Sequence, residues 1–338
     1  ILFWSLSLLQ IFKIKNDSCL KNFILLGIFI GLAFLSKYAA VYFFICILFL
    51  IGIDSKFRKA FTKNKINIFF FALTTIIIIL PNILWNINNG WLTFQHTLSN
   101  AGLNRTNFNF ISGTSFFLSQ IFMLGPVIII FFILSFKKYN VWDSNTKILL
   151  AFSAPIFFIV LLEAFLVRAN ANWAAVSLVS FLIYFIYCFF KKGKKIIFLN
   201  NFINLFFGIV FFILISVSSN LEPFKRVSGI TTFAKSLVEN DLGNISNIVI
   251  DDRMLYSNLV YILREQKINI FTIYVPNEKI GHHFQITNAL PTDFKSNFVF
   301  IGEISRIKHL KNKFIIKKTI KKDVGFLNTP LSIHEIVF

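Results

Sequence analysis

The stretch INIFFFALTTIIIILPNIL at residues 66–84 is apolar over almost its whole length and contains no charged side chain. A helix that crosses the hydrocarbon core of a bilayer needs about 20 residues of this kind. Seven similar apolar runs occupy residues 1–12, 23–36, 38–53, 116–136, 148–167, 173–190 and 196–217. The pattern predicts a polytopic α-helical membrane protein with about eight membrane segments.

The composition supports the same class of protein. Hydrophobic residues make up 56% of the 338 residues and charged residues only 14%, whereas a soluble domain carries about 25% charged residues. A disordered chain, a collagen, a coiled coil and a small disulfide scaffold are therefore excluded. The cysteines show neither metal-site nor disulfide-framework spacing. Because the run at 1–12 is too short to span a membrane, we expect the sequence to be a fragment whose first helix begins before residue 1.

Basic residues are concentrated in the loops between the apolar runs. These loops are residues 13–22, 54–65, 137–147 and 191–195. The net charge of +19 would also suit a nucleic-acid-binding protein. However, the positive-inside rule assigns short basic loops between membrane helices to the cytoplasm, so we expect no nucleic-acid partner. An even number of crossings must separate successive cytoplasmic loops, which requires the chain to turn at Ser36–Tyr38.

The same parity places the chain after Val217 outside the cytoplasm, so we predict two domains. Residues 1–220 form the membrane domain, and residues 221–338 form a small C-terminal α/β extracytoplasmic domain. Strands are predicted at Asn247–Ile250, Ile268–Val275, Asn297–Ile301, Phe314–Ile320 and Ile333–Phe338. An amphipathic helix is predicted at Arg253–Gln266, packed through Leu255, Leu259 and Leu263. Strand–helix–strand order is typical of a layered α/β fold.

Three cations in the membrane domain fall outside the cytoplasmic loops: Lys37, Arg105 and Arg168. A charge at the membrane edge costs free energy, so such residues need a partner or a purpose. They either bind the phosphate of a membrane lipid or extend towards the lipid headgroups without function. Glu163 is the only acidic residue inside an apolar run. It is a candidate functional group, and the alternative is a structural ion pair with Arg168 or Lys37.

The predicted outer loop at residues 85–115 contains further polar candidates. Pro81 is expected to end the preceding helix, because proline lacks the N–H that a helix interior requires. Gln95 and His96 follow in the loop. Each is either a substrate contact or an ordinary structural residue.

Several short motifs resemble a known enzyme family. They are GLAFLSKY at 31–38, PNILW at 81–85, GWLTFQH at 90–96, ANWAA at 171–175, DDR at 251–253 and GHHFQIT at 281–287. Their order and spacing resemble bacterial members of glycosyltransferase family 39 and its aminoarabinose-transferase-like relatives. Those are polytopic membrane enzymes with the GT-C fold, akin to dolichyl-phosphate-mannose protein mannosyltransferases.

The resemblance implies an activity and a place for it. Such enzymes move a sugar from a polyprenyl-phosphate carrier to an acceptor on the outer face of the bacterial inner membrane, in the cell envelope. The acceptor is a glycan, a lipid or a protein, and membrane lipid surrounds the enzyme. No cofactor is expected. A divalent metal, where relatives use one, is expected near the first outer loop.

The resemblance also implies roles for residues. The catalytic aspartate of the family lies in the first outer loop, which we expect to precede residue 1, so no catalytic residue and no metal ligand is assigned here. Candidates for substrate binding are Lys37, Arg105 and Arg168 at the phosphate, Gln95 and His96 at the donor or acceptor, and Asn172 and Trp173 in the cavity wall.

Two other classes of protein remain open. A transporter or flippase for an anionic lipid or solute would show paired inverted halves with broken helices, whereas the sequence predicts one break, at Ser36–Tyr38. A non-catalytic membrane subunit would use the C-terminal domain to bind a partner.

Overall fold

The computed structural model describes residues 1–102, 107–134, 142–190, 194–217, 229–241, 245–324 and 330–338. The chain divides into two compact units, residues 1–208 and 209–338. The first unit is helical and the second contains a five-stranded sheet, which confirms the expected fold class. The domain boundary predicted at 220–221 lies outside the described residues.

Among the described residues, twelve α-helices begin in the first unit. They are α1 (Leu2–Asn16), α2 (Leu20–Ser36), α3 (Tyr42–Ile53), α4 (Ser55–Thr62), α5 (Lys65–Asn88), α6 (Leu92–Ala101), α7 (Phe110–Leu124), α8 (Pro126–Leu134), α9 (Ser144–Ala151), α10 (Ala154–Leu166), α11 (Ala175–Phe189) and α12 (Lys194–Val217). Short 3₁₀ turns at Tyr38–Val41 and Ala171–Ala174 precede α3 and α11.

The eight apolar runs form helices of different lengths. In the ranges that the structure describes, four helical stretches are long and apolar enough to cross a membrane: Lys65–Asn88, Ser144–Leu166, Ala171–Phe189 and Lys194–Val217. The number rises to six if two bent helix pairs each count as one span. The first two runs form the shorter helices α1 and α2, of 15 and 17 residues. The protein is thus a multi-pass membrane protein.

The apolar run at 116–136, predicted as one membrane segment, does not form one straight helix. It forms α7 and α8, which meet at a bend of 96°. Gly125 lies at the bend with φ of +107°, and a Cβ there would be 2.3 Å from Asn200 Oδ1. That same oxygen accepts a hydrogen bond from Ile128 N at 3.0 Å, at the start of α8. The bend therefore depends on a glycine, on Pro126 as first residue of α8, and on an asparagine distant in sequence.

The prediction that Pro81 ends its helix is wrong, because Pro81 lies inside α5, which continues to Asn88. Proline removes one main-chain hydrogen bond from a helix but does not always end it. The turn that follows is held by a side chain, since Asn86 Nδ2 donates to the carbonyl oxygen of Asn82 at 2.9 Å. The helix therefore extends beyond the expected membrane segment.

The basic loops lie together at one end of the helical unit, here called the basic end. Hydrogen bonds join Lys15 Nζ to Asn145 Oδ1, Ser144 Oγ to Asp54 Oδ2, Asn67 Nδ2 to Ser18 O (2.8 Å), and Tyr187 OH to Asp143 Oδ2 (2.8 Å). These contacts join the segments before α2 and before α4 to the start of α9. They also join the segment before α9 to the last turn of α11. Parts of the loops at 137–147 and 191–195 lie outside the described residues.

The second unit contains a mixed sheet with the strand order β2-β1-β3-β5-β4. The strands are β1 (Asn247–Ile250), β2 (Asn269–Thr272), β3 (Phe298–Ile301), β4 (Ile315–Lys322) and β5 (Leu331–Val337). β1 pairs in parallel with β2 and β3, while β5 is antiparallel to β3 and β4. The helices are α13 (Ile230–Ser236), α14 (Arg253–Ile262) and α15 (Phe284–Thr287).

The predicted strand–helix–strand unit is confirmed as β1–α14–β2. Parallel neighbours need a crossover, and α14 supplies it. Leu255, Leu259 and Leu263 are buried against Ile248 and Val299 of the sheet, as expected. The helix itself ends four residues before the predicted Gln266.

Candidate functional site

The site begins where α2 ends, at the end of the helical unit away from the basic end. Lys37 separates α2 from the 3₁₀ turn and adopts an extended backbone, with φ of −161° and ψ of 125°. Its N–H still donates to Ala33 O at 2.9 Å. The predicted turn at Ser36–Tyr38 is therefore confirmed. The side chain of Lys37 is exposed at this break.

A polar network ties this break to the ends of α5 and α6. Tyr38 OH donates to Asn82 Oδ1 at 3.0 Å and lies 2.8 Å from Thr93 Oγ1. Thr93 Oγ1 also donates to Asn86 Oδ1, and Asn86 is fully buried. The ring of Tyr38 stacks on Phe94, with 5.0 Å between centroids. Buried polar groups that satisfy one another in this way fix the geometry of the surrounding elements.

The reversal between α5 and α6 is sharp. Gly90 and Trp91 both have positive φ, of 62° and 59°. A non-glycine residue rarely adopts this conformation, so the surrounding contacts must hold it. The N–H of Trp91 donates to Asn86 O at 2.7 Å, and the rings of Trp91 and Phe94 meet edge to face at 5.3 Å. As a result, α6 folds back over the end of α5.

These elements enclose a cavity of about 790 Å³, here called the larger cavity. Its walls are mainly apolar and aromatic, and include Phe34, Tyr42, Phe94 and Trp173. The polar groups that line it are Lys37, Tyr38, Asn82, Thr93, Thr97 and Glu163, with Ser36 at its edge. An apolar cavity with a few polar groups is the usual form of a small-molecule site. This one suits a molecule with both an apolar part and a charged part.

A second cavity of about 400 Å³, the smaller cavity, lies beside the start of α1 and the start of α11. Trp4 and Asn172 are among its lining residues. Lys37 and Trp173 line both cavities, together with Ser36 and Ala39. Two different molecules can therefore reach Lys37 from two sides. Such an arrangement suits a transfer between two substrates.

The larger cavity also contains a carboxylate. Glu163 lies in α10, is half-buried, and interacts electrostatically with Tyr42. The ion pair with Arg168 or Lys37 that the sequence left open does not form, since no such pair within 4.0 Å joins these three described residues. Lys37 and Glu163 thus bring opposite charges to one cavity without pairing.

The structure brings three of the predicted site residues together. Lys37 and Trp173 line both cavities, and Asn172 lines the smaller one. Gln95 and His96 are exposed on α6, and Gln95 Nε2 donates to Gly90 O at 2.8 Å. Neither residue lines the larger or the smaller cavity.

Two predicted site residues remain. Arg168 is exposed and lines neither cavity. Arg105 lies outside the described residues.

Sequence reasoning missed the face of α6 that meets the larger cavity. Thr93, Phe94, Thr97 and Leu98 line it. The spacing of these residues places them on one side of a helix. The signal was present in the sequence, but the region had been taken as a loop.

In the second unit, charged groups gather after the parallel strands. Arg306 contacts Glu278 at 2.6 Å and Asp251 at 3.3 Å. Burial and the nearby charge of Arg253 lower the pKa of His282. Among the residues that the structure describes, no group of three or more His, Cys, Asp or Glu side chains is placed to hold a metal ion.

Comparison with known proteins agrees with the membrane architecture. Residues 1–85 match the family model described as dolichyl-phosphate-mannose-protein mannosyltransferase. Over 350 aligned positions the chain is 23% identical to the lipid A galacturonosyltransferase RgtD of Rhizobium johnstonii, with 99% of this chain and 72% of the relative covered. No solved structure matches the chain. The resemblance to the GT-C membrane enzymes that the sequence motifs indicated is therefore confirmed.

Proposed function

We propose that the protein transfers a glycosyl residue from a polyprenyl-phosphate-linked sugar to an extracytoplasmic acceptor. The observation that carries the proposal is the larger cavity, with Lys37 at its edge and aromatic walls. A polyprenyl-phosphate sugar has an apolar chain, an anionic phosphate and a polar sugar. The apolar walls suit the chain, and the ammonium group of Lys37 suits the phosphate as a point charge.

The proposed reaction uses Lys37 at the leaving group. An oxygen of the acceptor attacks the anomeric carbon of the sugar, and the bond from that carbon to the phosphate oxygen breaks. The electron pair of that bond leaves with the polyprenyl phosphate, and the acceptor proton passes to a general base, for which no residue is assigned. Negative charge on the phosphate rises as the bond breaks, so a cation fixed there stabilises the transition state more than the bound donor.

The other predicted residues keep their proposed places. Arg105 and Arg168 are further candidates for the phosphate, and Gln95 and His96 for contact with donor or acceptor at the exposed edge of α6. Asn172 lines the smaller cavity, which we assign to the acceptor. Lys37 and Trp173 then lie between the two substrates.

We propose that the basic end faces the cytoplasm and that both cavities open towards the outer side of the bacterial inner membrane. The described basic loops meet at one end of the helical unit, as the positive-inside rule requires for cytoplasmic loops. Helix α12 begins next to the loop at 191–195 and ends at Val217. The sheet-containing part of the chain follows α12 and is therefore assigned to the extracytoplasmic side.

The acceptor is a lipid, a glycan or a protein, and a glycolipid is the first to test because the relative's name specifies lipid A. The assay uses membrane vesicles that contain the intact protein, a lipid A acceptor, and sugars linked either to polyprenyl phosphate or to a nucleotide. We expect transfer from the polyprenyl-phosphate donor and none from the nucleotide sugar alone. Transfer from the nucleotide sugar in vesicles free of polyprenyl phosphate would overturn the proposal.

The same assay addresses metal dependence and the flippase alternative. We propose that the described residues bind no cofactor for the transfer. Treatment with EDTA measures the effect of removing divalent metal on transfer. Movement of the donor across the membrane without transfer would favour a flippase.

A further inference from the structure

We infer that Glu163 contacts the sugar of the donor and selects against sugars that carry a carboxylate group. This inference rests on the proposed function. It assigns a specificity role to a residue of α10 that lines the same cavity as Lys37.

The first step is that Glu163 lacks a countercharge among the residues that the structure describes. It is half-buried in a wall made largely of apolar side chains, and no ion pair joins it to a cation in the ranges that the structure describes. It interacts electrostatically with the neutral hydroxyl of Tyr42. A carboxylate in a membrane segment is costly without polar partners and marks a functional position. The ligand therefore supplies hydrogen bonds to it.

The second step identifies which part of the donor lies at Glu163. The polyprenyl chain offers a carboxylate no hydrogen bond. The phosphate has the same sign of charge and is attracted to Lys37 instead. The sugar remains, because its hydroxyl groups donate hydrogen bonds to an ionised carboxylate. Trp173 lines the cavity with Glu163 and offers an aromatic face on which an apolar side of a sugar ring can pack.

The third step is selectivity. A sugar that carries its own carboxylate would bring a second negative charge to Glu163 in a water-poor cavity, and like charges in such a place disfavour the complex strongly. We expect a neutral or amine-bearing sugar to exceed its uronate counterpart by about 100-fold in kcat/KM. The preference would distinguish this protein from the relative, whose name specifies galacturonate.

The test compares matched donors with the intact protein in membrane vesicles. The donors are polyprenyl phosphates that carry galactose, galactosamine or galacturonate, and the equivalent glucose series. We expect the wild type to prefer the neutral and amino sugars, Glu163→Gln to reduce the preference to below about tenfold, and Glu163→Lys to favour the uronate. Asp17→Asn is the matched control, because Asp17 is an exposed acid next to the basic end, and it should leave the ratio unchanged.

The outcomes separate the two proposals. Efficient use of the uronate donor by the wild type would overturn the inference and leave the proposed function intact, as would an unchanged ratio in Glu163→Gln. Failure of every polyprenyl-phosphate donor would overturn the proposed function and the inference with it. If Glu163→Gln loses all transfer, inhibition of the wild-type protein provides the test. Equal inhibition of wild-type transfer by galactose 1-phosphate and by galacturonate 1-phosphate would overturn the inference.

Discussion

The two ends of the membrane unit are built by the same helices, but they treat charge differently. At the basic end, charged side chains are joined to neighbouring loops, as Lys15 is to Asn145 and Asp54 is to Ser144. At the other end, Lys37 and Glu163 line a cavity of about 790 Å³ and form no ion pair among the described residues. The charges of the basic end therefore stabilise the protein, whereas those of the cavity end are available to a ligand.

Removing the charge of Lys37 should have the largest effect on transfer, and it tests the difference between the two ends most strongly. Lys37→Gln should lower kcat for transfer by about 100- to 1,000-fold, because a donor aimed at developing charge is lost. The matched control is Lys13→Gln, an exposed lysine of the basic end, and it should retain nearly normal turnover. Steady-state transfer assays with membrane abundance measured alongside check both. Near-normal turnover in Lys37→Gln at normal abundance would show that the lysine merely extends to the headgroups.

Arg168 sharpens the same experiment. Because it is exposed and lines neither cavity, Arg168→Gln should lose less than tenfold in kcat, below the effect at Lys37. A loss as large as that of Lys37→Gln would show that both cations contact the phosphate and that the binding site extends beyond the two cavities.

A substitution at Trp173 tests whether this residue acts as a cavity wall or only as a tryptophan that anchors the protein at the membrane interface. Trp173→Ala removes a wall that both cavities share, and KM for donor should rise by about tenfold because buried aromatic area is lost. Trp142 offers the comparison at the basic end, where its ring lies 5.6 Å from the ammonium group of Lys147. Trp142→Ala should leave KM unchanged. Equal effects would assign Trp173 to membrane anchoring.

Removing the hydroxyl of Tyr38 should have the smallest effect of these substitutions. Tyr38→Phe removes the contacts to Asn82 and Thr93, at a cost of about 1 kcal/mol. Thermal unfolding of the purified protein should shift to lower temperature, and turnover should fall with it because α6 is less firmly held. Asp54→Asn, which weakens a contact of the basic end, should lower stability with little change in turnover. A fall in turnover as large as that of Tyr38→Phe would remove the distinction between the ends.

The elements that depend on local sequence could be predicted. Apolar runs became helices, and the buried run Asn247–Ile250 became a strand, because length and hydrophobicity act within the segment itself. The break at Lys37 was also visible, since a lysine interrupts an apolar run. These features placed Lys37 at the site before any contact was known.

Features that depend on distant contacts could not be predicted. The bend at Gly125 requires the side chain of Asn200 on another helix, and the Gly-Pro pair alone was too weak a signal. Likewise, Thr93 and Thr97 face the larger cavity only because the contacts of Asn86 fold α6 back over α5. Glu163 was a candidate from the sequence, but its place in the same cavity as Lys37 depends on the packing of α10.

The most direct test of the account asks whether the cavity end faces outward and holds the donor. Thr97 is exposed and lines the larger cavity, and Lys21 is exposed at the basic end. Thr97→Cys and Lys21→Cys are made in a protein whose native cysteines are replaced, and spheroplasts are treated with a membrane-impermeant maleimide, with and without a polyprenyl-phosphate sugar. The account predicts that Thr97→Cys is labelled from outside and protected by the donor, while Lys21→Cys is labelled only after lysis. Labelling of Thr97→Cys only after lysis, or labelling that the donor does not slow, would contradict it.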